Sequence, residues 1–289
     1  MPLGANRYGK GEVRLVKVDR RAERHELRDL TVHVSVAGEF EAAHTVGDNA
    51  HVLTTDAQKN TVFAFARDGV GTPEAFGLRL ARHFAGSYDW ISGARVAVES
   101  YGWDRIAVGG QPHEHAFRRA GAEVRTAVVT VDGDDAHVLA GLSDLVVLKT
   151  TGSEFWGFPR DRYTTLAETH DRILATAVTA RWRHGTLDVD WAKSFAETRR
   201  LLLEAFATTH SLSLQQSLYA MAAAAITTRP EVVEVRMSMP NKHHFVVDLS
   251  PFGLTNDNEV FLAGDRPYGL IEGTVSRDDA PPALTGWYL

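Results

Sequence analysis

An α+β fold, with antiparallel sheets and helices packed on one face, is what the patterning of this chain predicts. Three observations carry that expectation. Apolar residues alternate with period two in several segments. Helical apolar faces lie between those segments. The order of two strands, two helices and then further strands occurs twice, so the chain reads as two tandem units, 1–138 and 139–289.

The elements follow in order. Val13 and Leu15, then Leu30, Val32, Val34 and Val36, alternate with partners such as Thr31, His33 and Ser35, the pattern of a half-buried antiparallel hairpin. The charged run Arg20 to Glu26 suits its connection. Asp56 to Arg67 and Glu74 to Phe84 read as helices, the second opened by Thr72-Pro73. Strands are expected over Ala94 to Ser100 and Glu123 to Val131, with Asp132-Gly133 as a turn. Gly110 to Gly121 carries the weakest structural signal, and Thr151 to Thr165 reads as a long loop, often a functional feature in compact domains.

In the second half, Ile173 to Trp182 reads as a strand. Phe195, Leu202 and Phe206 mark a long helix, and Ser213 is placed to cap another over Leu214 to Ile226. Val232 to Met237, His243 to Leu249 and Tyr268 to Val275 are expected to be strands.

The 289 residues are 44% hydrophobic and 24% charged, a globular balance able to bury a sizeable core. The formal net charge of -6 argues against general nucleic-acid or membrane-surface binding, while leaving room for a local basic pocket that takes a small anion. With no cysteine, disulfides, thiolate metal sites and cysteine catalysis are excluded. No apolar run approaches the ~20 residues that span a bilayer, and the ending Gly286-Trp287-Tyr288-Leu289 differs from a Ser-Lys-Leu peroxisomal address.

Three groups stand out chemically. Lys10, in Tyr8-Gly9-Lys10, can be paired with Thr54-Thr55-Asp56. A lysine beside a threonine hydroxyl can pass protons, and the plainer alternative is a solvated lysine and a helix cap. In TTGSEFWGFPRD, Thr150 to Asp161, Phe155, Trp156 or Phe158 could stack on a flat ring, and Arg172 could fork onto an anionic heterocycle. The alternative is an aromatic plug and a surface arginine. In Pro240-Asn241-Lys242-His243-His244-Phe245, asparagine can orient water or oxygen and histidine can move protons near neutral pH, against an ordinary turn. His113-Glu114-His115 has His-x-His spacing, but two histidines make a weak metal motif. No G-x-G-x-x-G, Walker A or Gly-x-Ser-x-Gly sequence occurs.

Taken together these segments resemble the urate oxidase family. The resemblance includes RYGKGEVRLVKV from Arg7, GEFEAAHTVGDNAHVLTTDAQKNT from Gly38 and LKTTGSEFWGFPRDRYTTLAETHDRIL from Leu148. It continues through LQQSLY from Leu214, MPNKHHFVVDL from Met239 and DRPYGLIEGT from Asp265. The block from Leu148 to Arg172 is the most specific.

The resemblance implies two T-fold units per chain and a cytoplasmic homotetramer with active sites between subunits. It implies oxidation of urate by molecular oxygen, without metal or other cofactor, to 5-hydroxyisourate and hydrogen peroxide. Phe155 resembles the stacking ring and Arg172 the bidentate partner of the urate anion. Gln215 resembles the side chain on the opposite edge, and Leu214 offers its backbone N–H where the family usually has valine. Asn241 resembles the residue that holds oxygen or water. Lys10, Thr55 and His243 resemble the proton relay, and Asp56 the residue beside the purine's five-membered ring.

Two alternatives stand beside this. A zinc-dependent T-fold enzyme acting on a pterin would use His113 and His115, against which the missing cysteine counts. A purine-binding protein without catalysis would keep Phe155, Arg172 and Gln215 but would have no need of Lys10, Thr55 and His243.

Overall fold

The structure, a computed structural model, describes residues 1–264 and 266–282 and resolves the chain into two compact units. The sequence ending at 286–289 and Asp265 lie outside the described residues.

The first unit comprises Met1–Leu142 with Thr186–Lys193. Strands β1 (Tyr8–Asp19), β2 (Glu26–Gly38), β3 (Ile91–Val108) and β4 (Gln111–Asp132) pair antiparallel in that order, with β5 (Asp135–Lys149) beside β4. Between β2 and β3 lie a short helix α1 (Glu41–Thr45), then α2 (Thr55–Arg67) and α3 (Pro73–Ala85). The expected alternation is realised: Leu30, Val32, Val34 and Val36 are buried on the side that meets Phe76 and Leu80 of α3. Thr54 caps α2 by accepting from the Ala57 N–H at 3.1 Å, and Thr72 caps α3 in the same way.

One detail of β1 bears directly on Lys10. A Cβ on Gly9 would lie 1.8 Å from the Val34 carbonyl oxygen, so only glycine lets β1 approach β2 this closely. Lys10 still pairs with Val34, but the register then slips through Gly11 and Glu12 before Val13 meets Val32. The bulge is tied down where the Glu12 N–H donates to His33 Nδ1 at 3.3 Å.

The second unit comprises Ser143–Gly185 with Ser194–Leu289. Here β6 (Leu174–His184), β7 (Val232–Pro240) and β10 (Leu270–Ser276) run antiparallel, with β6 also beside β5. Helix α5 (Leu214–Thr228) packs on β7 and β10, burying Leu214, Leu218 and Met221. Helix α4 (Trp191–Thr208) buries Leu202 and Phe206. A separate ribbon pairs β8 (His244–Val246) with β9 (Phe261–Ala263).

Two expectations are corrected. Gly110 to Gly121 is part of a long ribbon in which β3 and β4 continue past the helix-covered sheet. Gly109 and Gly110 both take positive φ at its tip, and Arg105 donates to the Glu114 carbonyl at 2.7 Å. That ribbon is largely exposed, so no apolar alternation marked it. The strand expected over His243 to Leu249 is only three residues long, because Val247 onward turns into a 3-10 segment at Ser250–Phe252. Strand β5 is a further element outside those expectations: Val138, Ala140 and Leu142 are buried in alternation, but the positive-φ Asp144 interrupts the phase before Leu145 is buried.

Candidate active site

The residues singled out by the sequence fall into two groups, one in each unit. In the first, Tyr8 ties the strand that carries Lys10 to the segment that precedes Thr55. Its ring packs edge-on against Phe40 with centroids 4.8 Å apart, and its hydroxyl donates to the Leu53 carbonyl at 3.0 Å. The start of β1 is thereby fastened to the segment that enters α2, and Thr55 is the first residue of that helix. Lys10 and Thr55 are both half-buried, and among the described residues no hydrogen bond joins them. Asp56 is exposed and bound within its own helix, accepting from Lys59 Nζ at 2.6 Å and Asn60 Nδ2 at 2.9 Å. Lys59, with smaller help from Asn60 and the Lys10 charge, holds its carboxyl below the usual range.

In the second unit the long loop folds back on itself. The Phe155 N–H donates to the Thr169 carbonyl at 2.8 Å and the Thr169 N–H returns to Phe155 at 3.0 Å. That pairing brings the two ends of the motif together. The Arg172 N–H donates to the Ser153 carbonyl at 2.9 Å, and Arg172 Nε to Ser153 Oγ at 3.2 Å. The guanidinium carbon then stands 5.1 Å from the centroid of the Phe155 ring, which is itself stacked on Phe158 at 5.1 Å.

Arg172 is half-buried, and burial pushes its pKa below the ordinary value without bringing an arginine near neutrality. Among the described residues it has no carboxylate partner. A desolvated cation in that condition is costly unless an anion arrives to pair with it, so the arrangement could accept an incoming negative charge.

Three further candidate residues lie after β7 and at the start of α5. Asn241 follows β7, held where its N–H donates to the Gly269 carbonyl at 2.8 Å. It is nine-tenths buried, and its carboxamide has no hydrogen-bond partner among the described residues. His243 lies two residues on. Burial first, then the Arg172 and His244 charges, lower its pKa, so the neutral imidazole persists below the usual histidine range. Gln215 is exposed on the first turn of α5. The adjacent Gln216 secures the helix start instead. Its N–H donates to Ser213 Oγ at 3.2 Å, and its side-chain oxygen accepts from the Leu212 N–H at 2.8 Å. The Leu214 and Gln215 N–H groups belong to the first turn, where helices leave donors without intrahelical partners.

The His243 shift makes a prediction. A depressed histidine pKa contributes stability that is complete above the unfolded value of ~6.5 and is lost as pH falls through the folded value. Titration of the His243 ring by NMR is expected to give a midpoint below 6.5. A midpoint at or above the free-histidine value would reverse that sign.

Sequence reasoning missed the serines that hold this loop. Ser153, Ser211 and Ser217 are fully buried, Ser217 Oγ donating to Ser211 Oγ at 2.8 Å. Ser153 pairs with Ser211 58 residues on, and no local pattern marks any of the three. His113 and His115 sit in the β3–β4 ribbon with rings edge-on at 4.6 Å. Among the described residues no group of three or more metal-ligating side chains is placed to hold a metal.

Comparison with known proteins agrees along nearly the whole chain. A family model described as Uricase matches residues 6–130 and again 138–272. The chain is 59% identical over 276 residues to the uricase of Arthrobacter globiformis, covering 96% of this chain and 90% of that one. It is 39% identical over 297 residues to the uricase of Aspergillus flavus, covering 97% and 98%. The crystal structure of the Arthrobacter globiformis uricase superposes with a TM-score of 0.96 at 57% identity, covering 100% of this chain and 99% of that one. A uricase from Bacillus fastidious superposes at 0.82 with 25% identity, covering 94% and 93%.

Proposed function

The chain belongs to the uricase family, and from that premise we propose how its residues oxidise urate. The observation that carries the reading is the half-buried Arg172, without a carboxylate partner among the described residues, over the Phe155 ring. Urate is planar, electron-rich and anionic. Phe155 stacks on it and the Arg172 fork pairs with its charged edge, which fixes its orientation. Gln215 hydrogen-bonds the opposite edge together with the Leu214 N–H, and Asp56 lies beside the five-membered ring. Asn241 holds oxygen or water over the ring plane; its carboxamide, on a largely buried residue and without a hydrogen-bond partner among the described residues, supports that role.

Chemistry begins with proton removal through Lys10, Thr55 and His243. Ground-state oxygen reacts slowly with closed-shell molecules because the step is spin-restricted. A deprotonated urate overcomes this by donating electrons one at a time. Oxygen accepts two electrons and two protons to leave as hydrogen peroxide, and water adds to the oxidised purine to give 5-hydroxyisourate. The substrate is thus its own reductant and the reaction runs without metal or flavin. The proposal includes two T-fold units, 1–138 and 139–289, in a cytoplasmic homotetramer whose active sites lie between subunits. Its support is the family resemblance and the division of the candidate residues between the two units.

The test is metal-stripped protein with urate in air-saturated buffer, following urate absorbance and peroxide together. Turnover with equimolar peroxide, lost when oxygen is removed, is expected. Activity that returns only after zinc is supplied would overturn the cofactor-free reading. Binding of a urate analogue without turnover would leave a purine-binding protein.

A further inference from the structure

One carboxylate beside the stacking ring is engaged far more heavily than a surface acid needs. Glu154 immediately precedes Phe155, and its side chain is only 19% exposed. Three donors from three segments converge on it. His210 Nε2, in the connection between α4 and α5, lies 2.6 Å from Oε1. Trp156 Nε1, within the loop, donates to Oε2 at 2.7 Å. His170 Nδ1, on the returning arm, lies 3.3 Å from Oε2. The backbone repeats the link: the Glu154 N–H donates to the Ser211 carbonyl at 2.7 Å, and the Ser211 N–H to Gly152 at 2.9 Å.

We infer that Glu154 is a positioning residue for urate binding, a latch that fixes the Phe155–Arg172 loop to the α4–α5 connection through His210, Trp156 and His170. This rests on reading Phe155 and Arg172 as the urate-binding pair. Stability alone explains the cluster poorly. His170 and His210 are 72% and 60% exposed, and ion pairs at such positions add little to folding. What the cluster does control is direction. The connection that His210 occupies runs directly into the first turn of α5, which carries Leu214 and Gln215. One carboxylate therefore couples the stacking ring to the segment that reads the opposite edge of the purine.

The nearby acids are otherwise occupied: Asp171 accepts from Thr151 Oγ1 at 2.8 Å, and Glu168 from the Gly157 N–H at 3.0 Å. The His210 bond first, then Trp156 and His170, hold the Glu154 carboxyl down to about 2, so it stays ionised throughout the neutral range.

The test measures affinity for a non-oxidisable urate analogue and kcat at saturating urate. Glu154→Ala and His210→Ala are each expected to weaken the analogue about tenfold while kcat stays within about twofold, because loosened positioning acts on binding. Glu154→Gln keeps an acceptor oxygen and is expected to recover part of the affinity. His210→Ala alters an exposed side chain, so its outcome does not depend on Glu154→Ala folding. Phe155→Ala, run in parallel, reports on the binding pair itself. If Phe155→Ala weakens the analogue but the Glu154 and His210 variants do not, the latch is wrong and the urate site stands. A fall in kcat with unchanged affinity would also overturn the latch. If Phe155→Ala leaves affinity unchanged too, the reading of the site fails and the latch with it.

Discussion

Replacing Lys10 with methionine is expected to lower kcat by about 10²- to 10⁴-fold, the usual contribution of a positioned general base. Methionine keeps an unbranched stem of similar length, so its packing beside Val34 and the bulge at Gly11 and Glu12 changes little. What disappears is the amine. Affinity for a urate analogue is expected to stay within about threefold, because stacking and the guanidinium fork are untouched. Steady-state turnover and analogue titration on the same preparation check both halves. A Lys10→Met enzyme with full turnover would remove lysine from the relay and leave Thr55 and His243 to carry the proton some other way.

The candidate site was unevenly legible in the sequence, for physical reasons. Phe155 and Arg172 are 17 positions apart, and the loop pairing of Phe155 with Thr169 brings them together. Nothing in helix or strand periodicity reports such a pairing. The family resemblance did, because it reads the whole segment at once. The helical and strand elements followed from alternation and caps wherever one face met a core, as in β2 and α3. They failed where both faces are exposed, as in the β3–β4 ribbon, and where a positive-φ residue shifts the alternation, as at Asp144 in β5. The serines that support Arg172 were invisible for a third reason. A buried Ser153–Ser211–Ser217 set is joined across more than fifty residues of chain, and each serine alone looks like an ordinary turn or helix residue. Gln215 and Gln216 make the same point at one helix end. Identical neighbours divide into a capping residue and a free one only once the α5 geometry is known.

Arg172→Ala is the variant expected to cost most in binding. A desolvated charge pair with a ligand is typically worth about 3 kcal/mol or more when one partner is removed, so analogue affinity is expected to fall about 100-fold or further. Arg172→Lys separates charge from shape. It retains a cation but replaces a planar fork with a point donor, and it gives up the Nε bond to Ser153 Oγ that sets the plane of the group. If the fork matters, lysine is expected to recover only a small part of the loss. Folding should respond in the opposite sense to binding. Arg172 is half-buried without a carboxylate partner among the described residues, so Arg172→Ala removes a desolvation cost and is expected to leave the melting temperature unchanged or slightly raised. Binding and thermal unfolding on one preparation therefore distinguish a ligand-directed arginine from a structural one. A variant that melts much earlier and still binds the analogue normally would make Arg172 a loop brace, with urate's negative charge met by some other group.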